Sequence, residues 1–508
     1  MWAKAKRVFY ASYLARVFEF IKDFFSYSRI LAIFYIEHDE NILRRSWFFK
    51  FCDNFWARFP KIIKSPEGTR SRLHNSIILN VLFSLSESLI ISGHFFKSVL
   101  AAVPILGLLL VIFISPLAPP LSAILIGVCA FIFALFKYEI KTTATDAALI
   151  VFLIFLLIVS VSSPISRSAP ITAFLFFGSA LGYFLARACL ITRQRAILGA
   201  GAFALSVVPP IILGFYQYAT GTLGDSSWVD ANLFGSLSRV FSSFQNPNLF
   251  GAYLVLIIPL ILACVIAAKQ RKTRILMGVI LGAAFIALAL TYSRGAYLAI
   301  VATLGIFFLI INWRSLFLFL PAGVLIYALL PSGIIGRLTS TTNLSDTSTI
   351  TRISIWSSSA RMALENGTWG IGMGTNAFIK IFPYYTQDVA RAYHAHNLFL
   401  QILIESGLPA LIAFLVFLIA FFNGQIVFMK RATSIRLRTL SAGFTCGALG
   451  FLITGLFDYV FFGEKTAFVF FIYLGAASAI TLVNPLNLKR KESVSSVIDR
   501  LINKAKNA

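Results

Sequence analysis

The chain has 508 residues, of which 58% are hydrophobic, and a formal net charge of +24. A mean hydropathy of +0.84 is typical of a polytopic membrane protein and excludes a soluble domain folded around one core. Outside the N-terminal region, Lys and Arg cluster in short loops between apolar stretches. The positive-inside rule accounts for such loops, so we predict membrane lipids and no nucleic acid as partners.

The first 97 residues differ from the rest, because basic and aromatic residues alternate there without a long apolar stretch. Such segments lie on anionic membrane surfaces, so we predict a basic amphipathic cytoplasmic region over 1–97. An arm that docks a partner protein is the alternative. Residues 98–484 are predicted to form the transmembrane domain, and 485–508 a cytoplasmic basic tail.

Apolar stretches of about 20 residues, the length that crosses a bilayer as a helix, recur along the chain. They predict an all-α polytopic membrane protein with about twelve transmembrane helices. The predicted spans are 98–116, 120–137, 147–163, 170–190, 196–215, 248–268, 275–292, 296–312, 315–331, 397–422, 438–458 and 466–484.

The basic loops near residues 270 and 430 and the tail after the last span fall on one side of this arrangement. The positive-inside rule makes that side the cytoplasm, together with both termini. Two polar segments, 216–247 and 332–396, then lie on the outer side. The larger one is a large outer loop between spans nine and ten.

No Walker loop, dinucleotide-binding fingerprint, nucleophile elbow or CxxC pair is present. We therefore predict no cofactor, and candidate chemistry is confined to polar residues at the outer ends of the spans. Asn246 precedes Pro247 and is a good helix N-cap, with Asn248 in the first turn. The positive end of that helix would favour a phosphate, although a well-capped helix alone also explains the pattern.

Two arginines are candidate anion ligands. Arg294 lies in a very tight turn between two spans, where an arginine costs energy unless it is paired or reaches the interface. Arg352 lies in the first turn of a predicted loop helix, which Gly367 would terminate. A guanidinium binds phosphate with two parallel hydrogen bonds. A snorkelling side chain at Arg294 and a solvated helix at Arg352 are the alternatives.

The same outer loop contains two further patterns. Apolar residues recur at helical spacing and predict one apolar helix face, at 350, 353, 356, 360, 363 and 364. The glycine-rich stretch 370–374 is a candidate backbone cradle for an anion.

Two of the five histidines, His394 and His396, directly precede the helix that Asn397 would begin. The positive end of a helix opposes protonation, and a neutral imidazole is what a general base requires. With no cysteine or acidic residue close in sequence, the pair predicts no metal site. A helix-capping histidine is the alternative. Glu405 and Asp458 are intramembrane carboxylates, and either could orient a histidine or pair with an arginine.

The order of these motifs resembles the O-antigen ligase/polymerase family of bacterial polytopic membrane glycosyltransferases. The resemblance covers roughly 240–425. It is carried by Asn246-Pro247-Asn248 with Gly251-Ala252-Tyr253, Ser293-Arg294-Gly295, Arg352 with Trp356, Gly370-Ile371-Gly372 with Asn376-Ala377-Phe378, and His394-Ala395-His396-Asn397 with Glu405-Ser406-Gly407-Leu408.

The resemblance implies a GT-C-like fold in the bacterial plasma membrane and a metal-independent, inverting glycosyl transfer from an undecaprenyl-diphosphate donor. Arg294 and Arg352 would hold the diphosphate, and His396, or else His394, would deprotonate the acceptor. Asn246, Asn248, Asn397 and Glu405 would support the site.

Polymerisation of lipid-linked repeat units is the expected reaction, and a flippase or a chain-length regulator is a candidate partner. The alternatives are a ligase that moves the glycan to lipid, wall polymer or protein, and a small-anion transporter of the bicarbonate type.

Overall fold

The computed structural model describes residues 94–135, 142–163, 169–222, 239–315, 317, 347–386, 392–462 and 464–483. Most of the predicted N-terminal region, 1–93, and the whole predicted tail, 485–508, lie outside these ranges. The described part of the chain is all-helical and contains no β-strand.

The helices follow one another in the order α1 His94–Ile114, α2 Pro119–Leu135, α3 Ala144–Ser162, α4 Ala169–Cys189, α5 Arg193–Ser206, α6 Val208–Thr220, α7 Pro247–Ala267, α8 Arg271–Leu290, α9 Arg294–Asn312, α10 Thr347–Asn366, α11 Thr375–Ile381, α12 Leu398–Arg431, α13 Ile435–Gly455 and α14 Glu464–Thr481. Short 3-10 turns cover Ser242–Phe244, Trp313–Ser315 and Phe382–Tyr384.

Every predicted span except 315–331 lies on a helix, and 315–331 falls almost entirely outside the described residues. The predicted span 196–215 is divided at Val207 into α5 and α6, because Pro209 and Pro210 cannot donate backbone hydrogen bonds. Among the described residues, eight helical segments are long and apolar enough to cross a membrane, and three shorter apolar helices accompany them. The chain is therefore a polytopic membrane protein.

The most buried spans are α7 and α13, which pack against each other through small residues. Gly443 and Gly447 on α13 face α7 so closely that a Cβ atom at either position would clash with it. Small residues spaced four apart let transmembrane helices approach to backbone contact, where dispersion replaces the missing hydrophobic force. This pair sets the relative height of the loops at both helix ends.

Chain direction places the loops of this unit at two ends of the helix bundle. The turns 268–270 and 432–434 join α7 to α8 and α12 to α13 at one end. We call them the basic turns, because Lys269, Arg271, Arg431 and Arg436 lie in them or directly beside them. The opposite end carries the N-termini of α7, α9 and α12 and the C-terminus of α13. The segments with the predicted site residues thus converge at the end away from the basic turns.

Helix α10 forms between α9 and α12 as predicted and ends at Asn366, directly before Gly367. It begins at Thr347, so Arg352 lies in its second turn and not in its first. The apolar face predicted for α10 is mostly exposed and is not the side that packs against the rest of the protein. Ile353 and Leu364 are 50% and 87% exposed, whereas Ile355 and Met362 are buried. The buried side is chosen by contacts with α11, α12 and the histidine segment, which a local hydrophobic pattern does not contain.

Helix α12 is broken at Gly407, which has φ +78° and ψ 171°. The break releases backbone carbonyls, and the glycine-rich stretch satisfies them. The N–H of Ile371 donates to Ile404 O at 2.9 Å, and that of Gly372 donates to Glu405 O at 3.0 Å. The predicted anion cradle is therefore wrong for these two N–H groups, because they close the helix break.

Candidate active site

A cavity of about 380 Å³ lies at the end of the bundle where the motif-bearing segments meet. We call it the site cavity. Its walls come from the start of α7, the α8–α9 turn, α10, residues 392–396 and the turn that follows α13. It is lined by Arg239, Asn246, Pro247, Asn248, Tyr292, Ser293, Arg294, Gly295, Thr351, Arg352, Ile355, Ala392, Tyr393, His394, His396, Thr454, Phe457, Asp458 and Phe462.

Residues 392–397, here called the histidine loop, are held by the helix they precede. Asn397 caps α12, and its Oδ1 accepts the N–H groups of Phe399 and Leu400 at 3.0 Å each. His396 has a left-handed φ of +47°, which is rare for a residue with a Cβ atom. Trp356 on α10 donates to the His396 carbonyl at 3.2 Å. The backbone is thus fixed on both sides of His396 in a strained conformation, as functional sites often are.

The His396 side chain pairs with Asp458. Its Nδ1 lies 3.0 Å from Asp458 Oδ1, while the ring is still 28% exposed. The His394 side chain is only 7% exposed, and its Nδ1 lies 4.0 Å from the same oxygen. Because an ionised carboxylate can only accept, His396 Nδ1 is the donor, and the lone pair lies on Nε2.

Several donors keep Asp458 ionised. Its Oδ2 accepts from Asn248 Nδ2 at 2.7 Å, and its Oδ1 accepts the N–H of Tyr459 at 2.8 Å. Burial raises the pKa of Asp458, but His396, His394 and Arg352 outweigh burial and hold the pKa well below its usual range.

His394 is held neutral. Its Nδ1 accepts the backbone N–H of His396 at 3.2 Å, and the two rings lie 4.2 Å apart between centroids. Burial, with smaller contributions from His396 and Arg352, lowers the pKa of His394 to about 3 despite the opposing charge of Asp458. His394 thus stays uncharged and packs against the ring of His396.

Three arginines line the same cavity. Arg294, the first residue of α9, is 9% exposed and donates to Thr349 Oγ1 at 3.4 Å. Arg239 donates to Asn248 Oδ1 at 2.6 Å and to the Thr291 carbonyl at 2.8 Å. Arg352 also lines the cavity, where its charge acts on both His394 and Asp458. These guanidiniums, near the positive ends of α7, α9 and α12, make the cavity suited to an anion.

The N-cap predicted for α7 is confirmed, because Asn246 Oδ1 accepts the N–H of Asn248 at 2.8 Å. Asn248 lies between Arg239 and Asp458 and hydrogen-bonds both. A partly buried chain of hydrogen bonds therefore runs from Arg239 through Asn248 and Asp458 to His396.

Glu405 lies outside the site cavity. It lines a second, largely apolar cavity of about 250 Å³, which shares Phe462 and no other lining residue with the site cavity. Of the two intramembrane carboxylates, Asp458 is thus the one that contacts a histidine.

The sequence contained no acidic residue close to the histidines, but the fold brings one there. One ligand atom each from His394, His396 and Asp458 lie within 4.8 Å of one another, close enough to share a metal ion. Tight hydrogen bonding already occupies both oxygens of Asp458. Metal independence stays a prediction, with a test given below.

Arg239 was not identified from the sequence, because it lies in a polar loop with no motif around it. Asp458 was noticed as an intramembrane carboxylate, but its partner was left open. An acidic residue at the outer end of a span is the signal that such a site offers.

Residues 280–415 match the family model described as O-antigen ligase. The matched region includes Arg294, Arg352, the histidine loop and Glu405, but not Asn246 or Asp458. No curated protein matches the chain. Over these residues the match confirms the resemblance to the O-antigen ligase/polymerase family that the motifs carry.

Proposed function

We propose that the protein is a glycosyltransferase that moves a glycan from a polyprenyl-diphosphate donor to a sugar hydroxyl with inversion. The observation that carries the proposal is the placement of a carboxylate-paired histidine opposite arginines in one cavity. Arg294 and Arg352 hold the diphosphate, and His396 is the base.

Proton transfer and attack by the acceptor occur together in this scheme. His396 Nε2 takes the proton of the acceptor hydroxyl as its oxygen bonds to the anomeric carbon of the donor sugar. Asp458 accepts from Nδ1 and stabilises the imidazolium that forms. Arg239 and Asn248 orient Asp458 and occupy its second oxygen.

The donor loses its leaving group in the same displacement. The bond from the anomeric carbon to the phosphate oxygen breaks, and the diphosphate keeps the electron pair on its lipid. Arg294 and Arg352 stabilise the charge that grows there, as preorganised donors do in other transferases. The donor is the chemical class that a cationic cavity at a membrane surface would select.

We further propose that the acceptor is a second lipid-linked repeat unit, which makes the protein a polymerase. Ligation to a different acceptor is the second candidate, favoured by the description of the matched family as O-antigen ligase. Mass spectrometry of lipid-linked glycans from a deletion strain separates the two. Accumulated single repeats support the polymerase, and accumulated long chains support the ligase and overturn polymerisation.

A small-anion transporter is the weaker alternative. Transporters place their binding groups near the membrane midplane, at broken helices related by internal repeats. In the described residues the cationic cavity lies at one end of the bundle. The buried ion pair Arg187–Asp146, with Nη2 to Oδ2 at 2.8 Å, lies outside the site cavity, and Asp146 also accepts from the Tyr183 hydroxyl at 3.0 Å.

We propose that the site faces outward across a bacterial plasma membrane, because the basic turns lie at the opposite end of the bundle. Single cysteines at Thr368 and Gln270, both exposed, are placed in a Cys52→Ser background. A membrane-impermeant maleimide is expected to label Thr368→Cys in intact cells and Gln270→Cys only after permeabilisation. The reverse labelling pattern would overturn the orientation.

Turnover is expected to survive EDTA, because hydrogen bonds fix Asp458 and arginines supply the positive charge at the leaving group. The measurement is transfer by purified protein after chelation and dialysis, with metal content determined in parallel. Loss of transfer that Zn²⁺ or Mg²⁺ restores would instead assign the His394, His396 and Asp458 group to a metal ion.

A further inference from the structure

Two buried side chains on α12 connect to the histidine loop without reaching the site cavity. Gln401 is fully buried, and its Oε1 accepts the N–H of Ala395, between the two histidines, at 2.6 Å. Its Nε2 donates to Glu405 Oε1 at 2.8 Å. Glu405, one turn further along α12, is 2% exposed. Gln401 thus links the backbone of the histidine loop to a carboxylate inside the bundle.

The same carboxylate also contacts the segment that carries Asp458. Tyr459 donates its hydroxyl to Glu405 Oε2 at 3.4 Å, and its own N–H donates to Asp458 Oδ1 at 2.8 Å. Glu405 further accepts the backbone N–H of Gly374, from the stretch that closes the α12 break. Glu405 therefore contacts Gln401, Tyr459 and Gly374 at once. It is linked to the histidine loop through Gln401 and to Asp458 through Tyr459.

Each donor in this network points toward an acceptor, which leaves little freedom in its arrangement. Gln401 uses its oxygen for Ala395 and its amide for Glu405, while Glu405 accepts three donors. In a buried network an unsatisfied donor is costly, so a wrongly placed group moves its neighbours instead of staying unpaired. A shift in either direction would change the distance between His396 and Asp458.

We propose that Gln401 and Glu405 are positioning residues that hold the histidine loop and Asp458 at hydrogen-bonding distance from each other. This inference rests on the proposed function, because it assigns the two residues to the geometry of the base. Neither side chain touches the site cavity, so they act on turnover through His396 and Asp458 and not through donor binding.

An exchange of the two residues tests this. Glu405→Gln places two amide groups face to face and leaves one donor without an acceptor. Gln401→Glu places two carboxylates about 3 Å apart, where both cannot remain ionised. The double variant Gln401→Glu/Glu405→Gln restores the pattern. The carboxylate at position 401 would accept from Ala395 and from the new amide at position 405, and the oxygen of that amide would accept from Tyr459.

Each single variant is expected to lose about tenfold or more in kcat, since small misplacements of a catalytic group cost up to about 10²-fold. The double variant should recover to within about threefold of wild type. KM for the donor should change little throughout. Tyr459→Phe, which removes only one hydroxyl, should lose a few-fold in kcat while keeping its melting temperature within a few degrees.

Gln425→Glu is the matched control. Gln425 is also a buried glutamine on α12, and it accepts from Ser441 Oγ at 2.8 Å near the opposite end of the helix. This change should lower the melting temperature without a selective loss of kcat. A loss of kcat of the same size in Gln425→Glu would mean that the network only stabilises the fold, and it would overturn the proposal.

Two further outcomes would also overturn it. Single variants at Gln401 and Glu405 that turn over like wild type would show that the network does not position the base, as would a double variant no better than the singles. His396→Ala, run beside them, identifies the cause. If His396→Ala is inactive, the failure belongs to the network alone, and if it is fully active, the proposed base itself is wrong.

Discussion

Replacement of His396 by alanine is expected to lower kcat by about 10²–10⁴-fold, the usual contribution of a general base. The KM for the donor should stay close to that of the wild type, because the proposed mechanism assigns the diphosphate to arginines on α9 and α10. The measurement is transfer by purified protein from a polyprenyl-diphosphate-linked oligosaccharide, with retention of labelled donor determined in parallel.

Two companion variants test the role of each partner. His394→Ala should lose less activity, because His394 is buried and neutral and supports the ring of His396. Asp458→Asn should approach the loss of His396→Ala, since an amide cannot stabilise the imidazolium and can favour the wrong tautomer. An inactive His394→Ala beside an active His396→Ala would exchange the two roles. Activity in both alanine variants would mean that the two histidines have only a structural role at the start of α12.

Lysine substitution at the two arginines gives the second large effect. Arg294→Lys and Arg352→Lys each keep the charge but lose the planar fork that binds phosphate with two hydrogen bonds. A lost hydrogen bond to a charged group costs about 1.5–3 kcal/mol, which corresponds to roughly 10–150-fold in turnover. The variants are compared by kcat/KM and by competition with inorganic diphosphate.

Arg271→Lys is the control for this pair. Arg271 is exposed in the first turn of α8, at the end of the bundle away from the site cavity. Arg361, an exposed arginine on α10, is a poor control. Its Nη2 donates to the Tyr385 carbonyl at 2.8 Å and links α10 to the segment after the turn Phe382–Tyr384. Wild-type activity in both Arg294→Lys and Arg352→Lys would remove the diphosphate clamp from the mechanism.

The sequence alone determined the features that depend on neighbouring residues. Long apolar stretches predicted the helical spans, because their length and composition must match the bilayer wherever they lie. The cap at Asn246 was predicted for the same reason, since a cap bonds a backbone group two or three residues away. The histidines and Arg294 were likewise found as polar residues at the ends of spans, and Arg352 was found on a predicted loop helix.

Only the tertiary structure decided which of these groups meet. Asp458 lies 62 residues from His396 in the chain, and Asn248 lies 210 residues from Asp458. Glu405, which is closer in sequence, bonds Gln401 and Tyr459 instead. Spacing in the sequence could not choose between the two carboxylates, because their partners are set by the packing of α7, α12 and α13.

The segment between α9 and α12 shows the same division between what the sequence determines and what packing decides. The sequence predicted helix α10, but its buried side is the one that meets α11 and the histidine loop, and the regular apolar pattern faces outward. The glycine-rich stretch was recognised, yet its N–H groups at Ile371 and Gly372 bond the carbonyls that Gly407 exposes in α12. Local periodicity and turn chemistry determine which helices and turns form. Which helix face is buried, and which carbonyl accepts each free N–H, depends on the residues that packing brings within about 3 Å.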